Sequence, residues 1–157
     1  VAGDMLDHSE IPTSGSASMS GKAVFNVAYR YNQANSDYGV KQYSGHATVN
    51  GSFNWGSGSY SGQLDFTNFD SGNSLVSNAG FTSFSVSLAG SGATYAGSLN
   101  DTNNGWTREA VIAGALYGNN TPVESGGRIS VGLSKSGSLG TSGANDFYMA
   151  EGIYLID

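Results

Sequence analysis

Residues 17–31 read ASMSGKAVFNVAYRY, a stretch in which small or apolar residues alternate with mostly polar ones. Successive side chains of a β-strand point to opposite faces of the sheet, so this period of two predicts a strand with one buried face. The predicted inward face holds Ala17, Met19, Gly21, Ala23, Phe25, Val27, Tyr29 and Tyr31, and the outward face holds Ser18, Ser20, Lys22, Asn26 and Arg30.

The same alternation recurs along the rest of the chain, and the tight turns Gly56-Ser57-Gly58 and Gly90-Ser91-Gly92 separate some of the repeats. Turn-rich loops are predicted at residues 70–73 and 100–105, where Asn, Asp and Gly accumulate. Residues 109–117 are apolar on both faces, which suits a wall packed on both sides or a strand covered by the N-terminal arm. The further predicted strands cover residues 43–55, 60–66, 84–88, 93–99, 109–117, 129–133 and 147–156.

Eight strands joined by hairpin-length turns, with no helical period, predict an all-β fold, namely an eight-stranded antiparallel up-and-down β-barrel. An open sandwich is the alternative. Glycine on the inward face favours closure, because coiled strands crowd the interior of a small barrel. These inward glycines are Gly21, Gly45, Gly51, Gly62 and Gly97. Such an interior is filled by side chains, so no large internal cavity is expected.

With 157 residues the chain is of the size of one domain. Residues 1–15 show no periodicity and are interpreted as an N-terminal arm or linker, and residues 16–157 as the barrel domain. No apolar run is long enough for a transmembrane segment, and the opening Val1-Ala2-Gly3-Asp4 does not resemble a signal peptide. The sequence is typical of a mature or trimmed chain.

The formal net charge of −6 and the scattering of the six Lys and Arg residues argue against nucleic acid as a partner. Only 11% of the residues are charged, so the surface must be solvated mainly by hydroxyl and amide groups, as is common among secreted bacterial proteins. The chain has no Cys, so it contains neither a disulfide nor a thiolate metal site.

No catalytic site and no metal site is predicted. The sequence contains no nucleophile elbow, zinc-protease motif or phosphate-binding loop, and we expect the protein not to be an enzyme. The loop with Asp101 and Asn103 resembles a calcium loop, but Trp106 stands where such a loop needs Gly and Ile112 where it needs Glu.

Four residues are candidate binding residues. Trp55 and Trp106 lie at predicted strand ends, and Tyr38 lies in a predicted loop, where large aromatic residues serve as barrel plugs or as hot spots for a protein partner. His46 lies on the polar face of the second predicted strand. It is interpreted either as a solvated surface histidine or as a ligand to a metal ion or haem.

Residues 114–118 and 122–127 read GALYG and PVESGG, and they resemble a signature in the C-terminal barrel of the transferrin-binding protein B family. In that family an aromatic-Gly pair precedes a Glu and a Gly-Gly in a hairpin between late barrel strands. The resemblance implies a structural role for the matching residues, which are Tyr117, Gly118, Glu124, Gly126 and Gly127. Residues 12–21 resemble the Gly- and Ser-rich start of such barrels.

The resemblance implies an extracellular or cell-surface protein of a Gram-negative bacterium, either secreted or a surface lipoprotein. Such proteins are exported by an outer-membrane translocator and serve host interaction or iron and haem acquisition. Related members bind transferrin, lactoferrin, complement factor H or haem. In the haem-binding members, called hemophilins, a separate N-terminal domain holds the haem and the barrel serves export.

Three hypotheses of function follow. The first is a binding module that engages a host or receptor protein, or an iron or haem source, through loops at the barrel rim. The second is a small-ligand carrier, with haem as the ligand and His46 or a Tyr as its anchor; no other cofactor is expected. The third is a structural or adhesive module of a larger surface protein.

Overall fold

The structure is a computed structural model that describes residues 4–32, 38–118, 121–135 and 146–157. Within these ranges the chain forms nine strands, one α-helix and one 3₁₀ helix. In chain order they are β1 (Asp4–Met5), the 3₁₀ helix (His8–Glu10), β2 (Ser16–Asn32), β3 (Tyr38–Gly56), β4 (Ser59–Thr67), α1 (Ser74–Asn78), β5 (Phe84–Ser91), β6 (Thr94–Asn103), β7 (Trp106–Gly118), β8 (Pro122–Lys135) and β9 (Phe147–Ile156).

Strands β2 to β9 form a closed antiparallel barrel. Each strand pairs with the next one along the chain, and β2 also pairs with β9, from Gly21 opposite Ile156 to Arg30 opposite Phe147. The predicted eight-stranded up-and-down barrel is therefore confirmed, and the open sandwich is excluded. Strand β1 is an addition that pairs with the end of β7.

The inward glycines lie where neighbouring strands crowd each other. A Cβ atom added at Gly21 would lie 2.0 Å from the carbonyl oxygen of Leu155, and one added at Gly97 would lie 2.2 Å from that of Ser87. Both distances are far shorter than any real contact of a Cβ atom. The largest fully buried side chains fill the remaining space; among them are Phe53, Phe66, Phe69, Phe81, Trp106 and Tyr148.

The connection between β4 and β5 folds into one end of the barrel as a plug. Phe69, Val76 and Phe81 in this connection are completely buried. The side-chain oxygen of Asn73 accepts a hydrogen bond of 2.8 Å from the N–H of Leu75 and so caps α1. This end of the barrel is therefore covered by a segment that contains a short helix and no strand.

Asp70 anchors the plug to the barrel wall. Its carboxylate is buried and accepts hydrogen bonds from the hydroxyls of Tyr43 and Tyr148, the latter at 2.9 Å. The side-chain amide of Asn73 donates to the same Tyr43 hydroxyl at 2.7 Å. Because a buried carboxylate is costly unless it is hydrogen-bonded, this cluster ties the plug to β3 and β9.

Arg108 holds the opposite side of the plug. Its guanidinium forms a bidentate ion pair with Asp101, with both distances at 2.6 Å, and donates to the carbonyl oxygens of Ala79 and Gly80 at 3.2 and 3.0 Å. The hydrogen bond from Arg108 lowers the pKa of Asp101. The plug is thereby attached to β6 and β7.

Near the other end of the barrel, two interior tyrosines are hydrogen-bonded to each other through their hydroxyl groups. The hydroxyls of Tyr95 and Tyr154 lie 2.6 Å apart, and Tyr95 also bonds to the hydroxyl of Ser125. Burial raises the pKa of Tyr95, and burial together with Tyr95 raises that of Tyr154. Burial and the charge of Asp70 likewise raise the pKa of Tyr148.

One of the two predicted loops is wrong in part. Residues 100–103 continue β6 and pair with residues 106–109 of β7, so only Asn104 and Gly105 form the turn. The polar residues there are tolerated in a strand because Asp101 and Asn103 bond to Arg108 and to the carbonyl oxygen of Ala79. The turn predicted at residues 70–73 is confirmed, and it leads into α1, which the sequence did not predict because five residues are too few to show a helical period.

The N-terminal segment packs against the barrel over residues 4–15. Met5 lies opposite Tyr117 at the end of β7, and Leu6 is buried in the core with its N–H bonded to the carbonyl oxygen of Leu116 at 3.2 Å. The outer face of β7 is nevertheless open, because Val111 is 56% exposed. The arm thus covers only the end of this strand.

Replacement of Gly21 by Ala should destabilise the barrel by about 1–3 kcal/mol, because the new methyl group collides with backbone of β9. Gly132→Ala is the matched control, since a Cβ atom there meets nothing within 4 Å. We expect the control to be as stable as the natural chain or slightly more stable. Urea unfolding measures both, and equal loss of stability in the two variants would contradict this account.

The free energy of unfolding should fall as the pH rises above about 10, the ordinary tyrosine pKa. Above this pH the unfolded chain loses phenolic protons that the folded state retains, so the unfolded state is favoured by about 1.4 kcal/mol per pH unit for each retained proton. Tyr154→Phe removes one such group and should make the fall shallower. Urea unfolding between neutral and alkaline pH tests this, and an unchanged slope in the variant would count against it.

Candidate functional site

The outward side of β9 carries four of the nine large apolar side chains that the described part of the chain exposes, more than any other strand. Four such residues alternate along the strand with Glu151 among them, and Ile153 is 60% exposed and Met149 41%. Val24 on β2 lies directly opposite Ile153. We define the β9 face as these outward residues and the cations beside them: Lys22, Val24, Arg30, Arg128, Phe147, Met149, Glu151, Ile153 and Leu155.

Each of three apolar residues on β9 lies opposite a cation on a neighbouring strand. Arg30 on β2 lies opposite Phe147, and Lys22 lies opposite Leu155. On the other side, Arg128 of β8 lies opposite Ile153. All three cationic residues are exposed. Their aliphatic stems can lie along the apolar surface while the charged ends reach solvent.

Two shallow grooves flank β9, so its outward side chains form a ridge. One groove, of about 560 Å³, lies over β3, β2 and β9, and its lining is mixed: Asn26, Gln42, Ser44 and Glu151 together with Val27, Ala28, Tyr43 and Met149. The other, of about 230 Å³, lies over β7, β8 and β9 and includes Val111 and Arg128. Glu151 contributes to both grooves. The surface thus has an apolar ridge with partly polar grooves beside it. Protein interfaces similarly have an apolar centre and a polar rim.

The opposite wall has a different character. Outward positions on β4, β5 and β6 carry small or polar residues, such as Ser61, Gln63, Ser87, Ala96 and Ser98. A strand that exposes large apolar residues within such a polar surface therefore stands out. The sequence contains this signal, because residues 147–156 are apolar at inward and outward positions alike, but closure of the barrel decides which positions face solvent.

The structure places the predicted tryptophans in different environments. Trp106 is 2% exposed and lies below the ammonium group of Lys135 at 5.9 Å, so it serves the core and is no accessible hot spot. The prediction of Trp106 as a binding residue is therefore wrong, and its alternative, an aromatic side chain that fills the barrel interior, is correct. Trp55 is half-buried and stacks on Phe53 with ring centroids 5.7 Å apart.

The other two candidate residues lie on β3. His46 is exposed on the outer face opposite Val24, at the border of the β9 face, and its carbonyl oxygen accepts from the N–H of Asp70 at 3.2 Å. Tyr38 begins β3, and its side chain lies outside the described residues. The three predicted residues whose side chains are described, Trp55, Trp106 and His46, do not lie together in one site.

The residues that carry the family resemblance lie in and beside the hairpin between β7 and β8. Tyr117 lies opposite Glu124, and the register shifts between Tyr117 and Gly118. A Cβ atom at Gly127 would lie 2.3 Å from the carbonyl oxygen of Ala113. Gly126 lies opposite Ala115. The close approach of the two strands accounts for glycine at position 127.

The described residues do not fit a haem group. The interior hydroxyls that could act as axial ligands are already hydrogen-bonded within the protein, at Tyr43, Tyr95, Tyr148 and Tyr154. His46 points to solvent from a strand. Haem binding needs an axial ligand inside a pocket that excludes water, and large side chains fill the barrel interior instead. Within the described ranges no group of three or more His, Asp or Glu residues is placed to hold a metal ion.

Among the parts of the chain that the structure describes, no helix has the length and apolar character needed to cross a membrane. Comparison with protein-family models and with curated protein sequences finds no match to this chain. The candidate site therefore has to be judged on its own geometry, and the β9 face is the surface that this geometry singles out.

Proposed function

We propose that this chain is a binding module that engages a partner protein through the β9 face. The observation that carries the proposal is the register of β9 with its neighbours, which sets Phe147, Ile153 and Leu155 each beside a cation. Contiguous exposed apolar patches with a polar rim are uncommon on monomeric proteins and mark interaction sites. The surface thus combines an apolar centre with a cationic border.

The charges indicate which kind of partner fits. Lys22, Arg30 and Arg128 are half of the six Lys and Arg residues of a chain whose net charge is −6. Glu151 is the acidic residue that β9 places among them. An acidic partner is repelled by the molecule as a whole but attracted to this face, so the charges favour one orientation of docking. We therefore propose a partner with an apolar contact area bordered by carboxylates.

The β9 face supports a binding role better than the rim does. Of the two tryptophans predicted for the rim, Trp106 is buried and Trp55 is half-covered by its neighbours, so neither gives the described part of the rim a fully exposed aromatic anchor. A host or receptor protein as the partner, and a location at the bacterial surface, belong to the proposal on the strength of the family resemblance. A module of a larger surface protein would use the same face.

The double variant Met149→Ser with Ile153→Ser should abolish capture of a partner from host serum by the immobilised chain, because it removes the centre of the apolar ridge. Val123→Ser is the matched control, since Val123 is 55% exposed but lies at the start of β8, outside the β9 face. All three positions are exposed, so we expect stability to change by no more than about 0.5 kcal/mol per substitution. Mass spectrometry of the retained proteins identifies the partner.

The charged border provides a second readout of the same experiment. Arg128→Glu should slow association, and binding of the natural chain should weaken as salt is added. A retained protein that the double variant captures as well as the natural chain does would refute the β9 face as the contact surface. Binding that is insensitive to both Arg128→Glu and salt would refute the acidic partner.

Haem titration separates the carrier hypothesis from this proposal. We expect no saturable Soret band, because the barrel interior is filled and its tyrosine hydroxyls are hydrogen-bonded. Absorbance measured during the titration tests this directly. A saturable band that His46→Ala removes would instead support a haem site on the outer face of β3.

A further inference from the structure

Strand β3 extends beyond its neighbour β4. It begins at Tyr38, whereas its pairing with β4 begins only at Thr48, which lies opposite Thr67. On its other side β3 is paired with β2 from residue 38 to residue 54. Residues 39–45 therefore have one paired edge and one edge that borders no strand in the described part of the chain.

The plug explains why β4 stops short. Asn68 and Asp70 adopt left-handed backbone conformations, with φ of 53° and 39°, which turn the chain out of the sheet and over the barrel end. Phe69 enters the core, and the N–H of Asp70 donates to the carbonyl oxygen of His46 at 3.2 Å. This bond is the last backbone contact that the plug makes along β3 among those described.

The bond to His46 also shows which backbone groups the open edge presents. In a strand the N–H and C=O groups of every second residue point to the same side. Since the carbonyl of His46 points toward the β4 side, the N–H and C=O groups of Val40, Gln42 and Ser44 point there too. All three residues are exposed, Val40 at 67%. The alternate residues Lys41 and Tyr43 direct their backbone groups to β2 instead.

We propose that residues 40–44 of β3 form an acceptor edge, to which an extended segment of a partner polypeptide adds as a strand. Unpaired N–H and C=O groups in a row are a template for such addition, and the backbone supplies much of the affinity. Natural proteins protect open edges with proline, bulges or charged side chains, and of these devices residues 40–44 contain only Lys41. The occupant is thus defined by its extended backbone.

The side chains beside the edge indicate what the added strand would carry. On the inner side stands the ring of Tyr43, which packs edge-on against Tyr29 with centroids 5.9 Å apart. On the outer side stand Gln42 and Ser44, which line the larger groove beside β9. An added strand therefore fits best with an apolar residue toward Tyr43 and polar residues on its other face. This inference does not depend on the β9 face.

The test uses a displayed library of random peptides of about six residues, the length of a typical strand, selected on the immobilised chain. Gln42→Pro removes an N–H group that no described strand uses, and it places a ring on the edge. Gln42→Ala is the control, because it changes the side chain and keeps the N–H group. We expect selected peptides to bind the Ala variant normally and the Pro variant at least about tenfold more weakly, because at least one backbone hydrogen bond is lost.

Amide hydrogen exchange provides a test that needs no proline variant. In the free chain the N–H groups of Val40, Gln42 and Ser44 should exchange fast and that of Tyr43 slowly, and a bound peptide should protect the first three. Failure to select any peptide would overturn the proposal. It would also be overturned if the peptides bound a folded Pro variant as well as the natural chain, or protected other amides instead.

Discussion

The pairing of β2 with β9 is the constraint on which the rest of this molecule depends. It closes the sheet and forces eight strands around a narrow interior, where Gly21 passes the backbone of Leu155 too closely for any side chain. Every inward position must then match the space left by the opposite wall. Large aromatic residues fill this space, so the proposed contacts with a partner lie on the outer surface of the barrel.

Closure also explains where the two proposed surfaces lie. Because β9 is held on both sides, by β2 and β8, its outward residues become a ridge in the middle of a continuous wall. The open edge of β3 arises at the barrel end, where β4 leaves the sheet and becomes the plug. The carboxylate of Asp70 connects the two regions, since it bonds to Tyr43 of β3 and to Tyr148 of β9. Both surfaces therefore rest on the same buried polar cluster.

Much of the fold could be predicted because a barrel wall with one buried face imprints a period of two on the sequence. The strand at residues 17–31 and the inward glycines were predictable in this way. Helix α1 was not, because it is too short for its own period, and its burial depends on an opening that only the closed barrel provides. The strand character of residues 100–103 was also hidden, since Asn and Asp are typical of turns and only Arg108 makes them suitable partners for β7.

The sequence by itself determined the class of fold, the inward and outward faces of most strands and the absence of a basic stripe, since these follow from periodicity and charge along the chain. Only the tertiary structure decided that Trp106 is buried, that His46 lies apart from Trp55, and that three cations stand beside the apolar residues of β9. These facts depend on register between strands that are distant in the chain. A tight turn fixes the register of a hairpin locally, but the register of β9 with β2 and with β8 is set by closure and packing of the whole barrel.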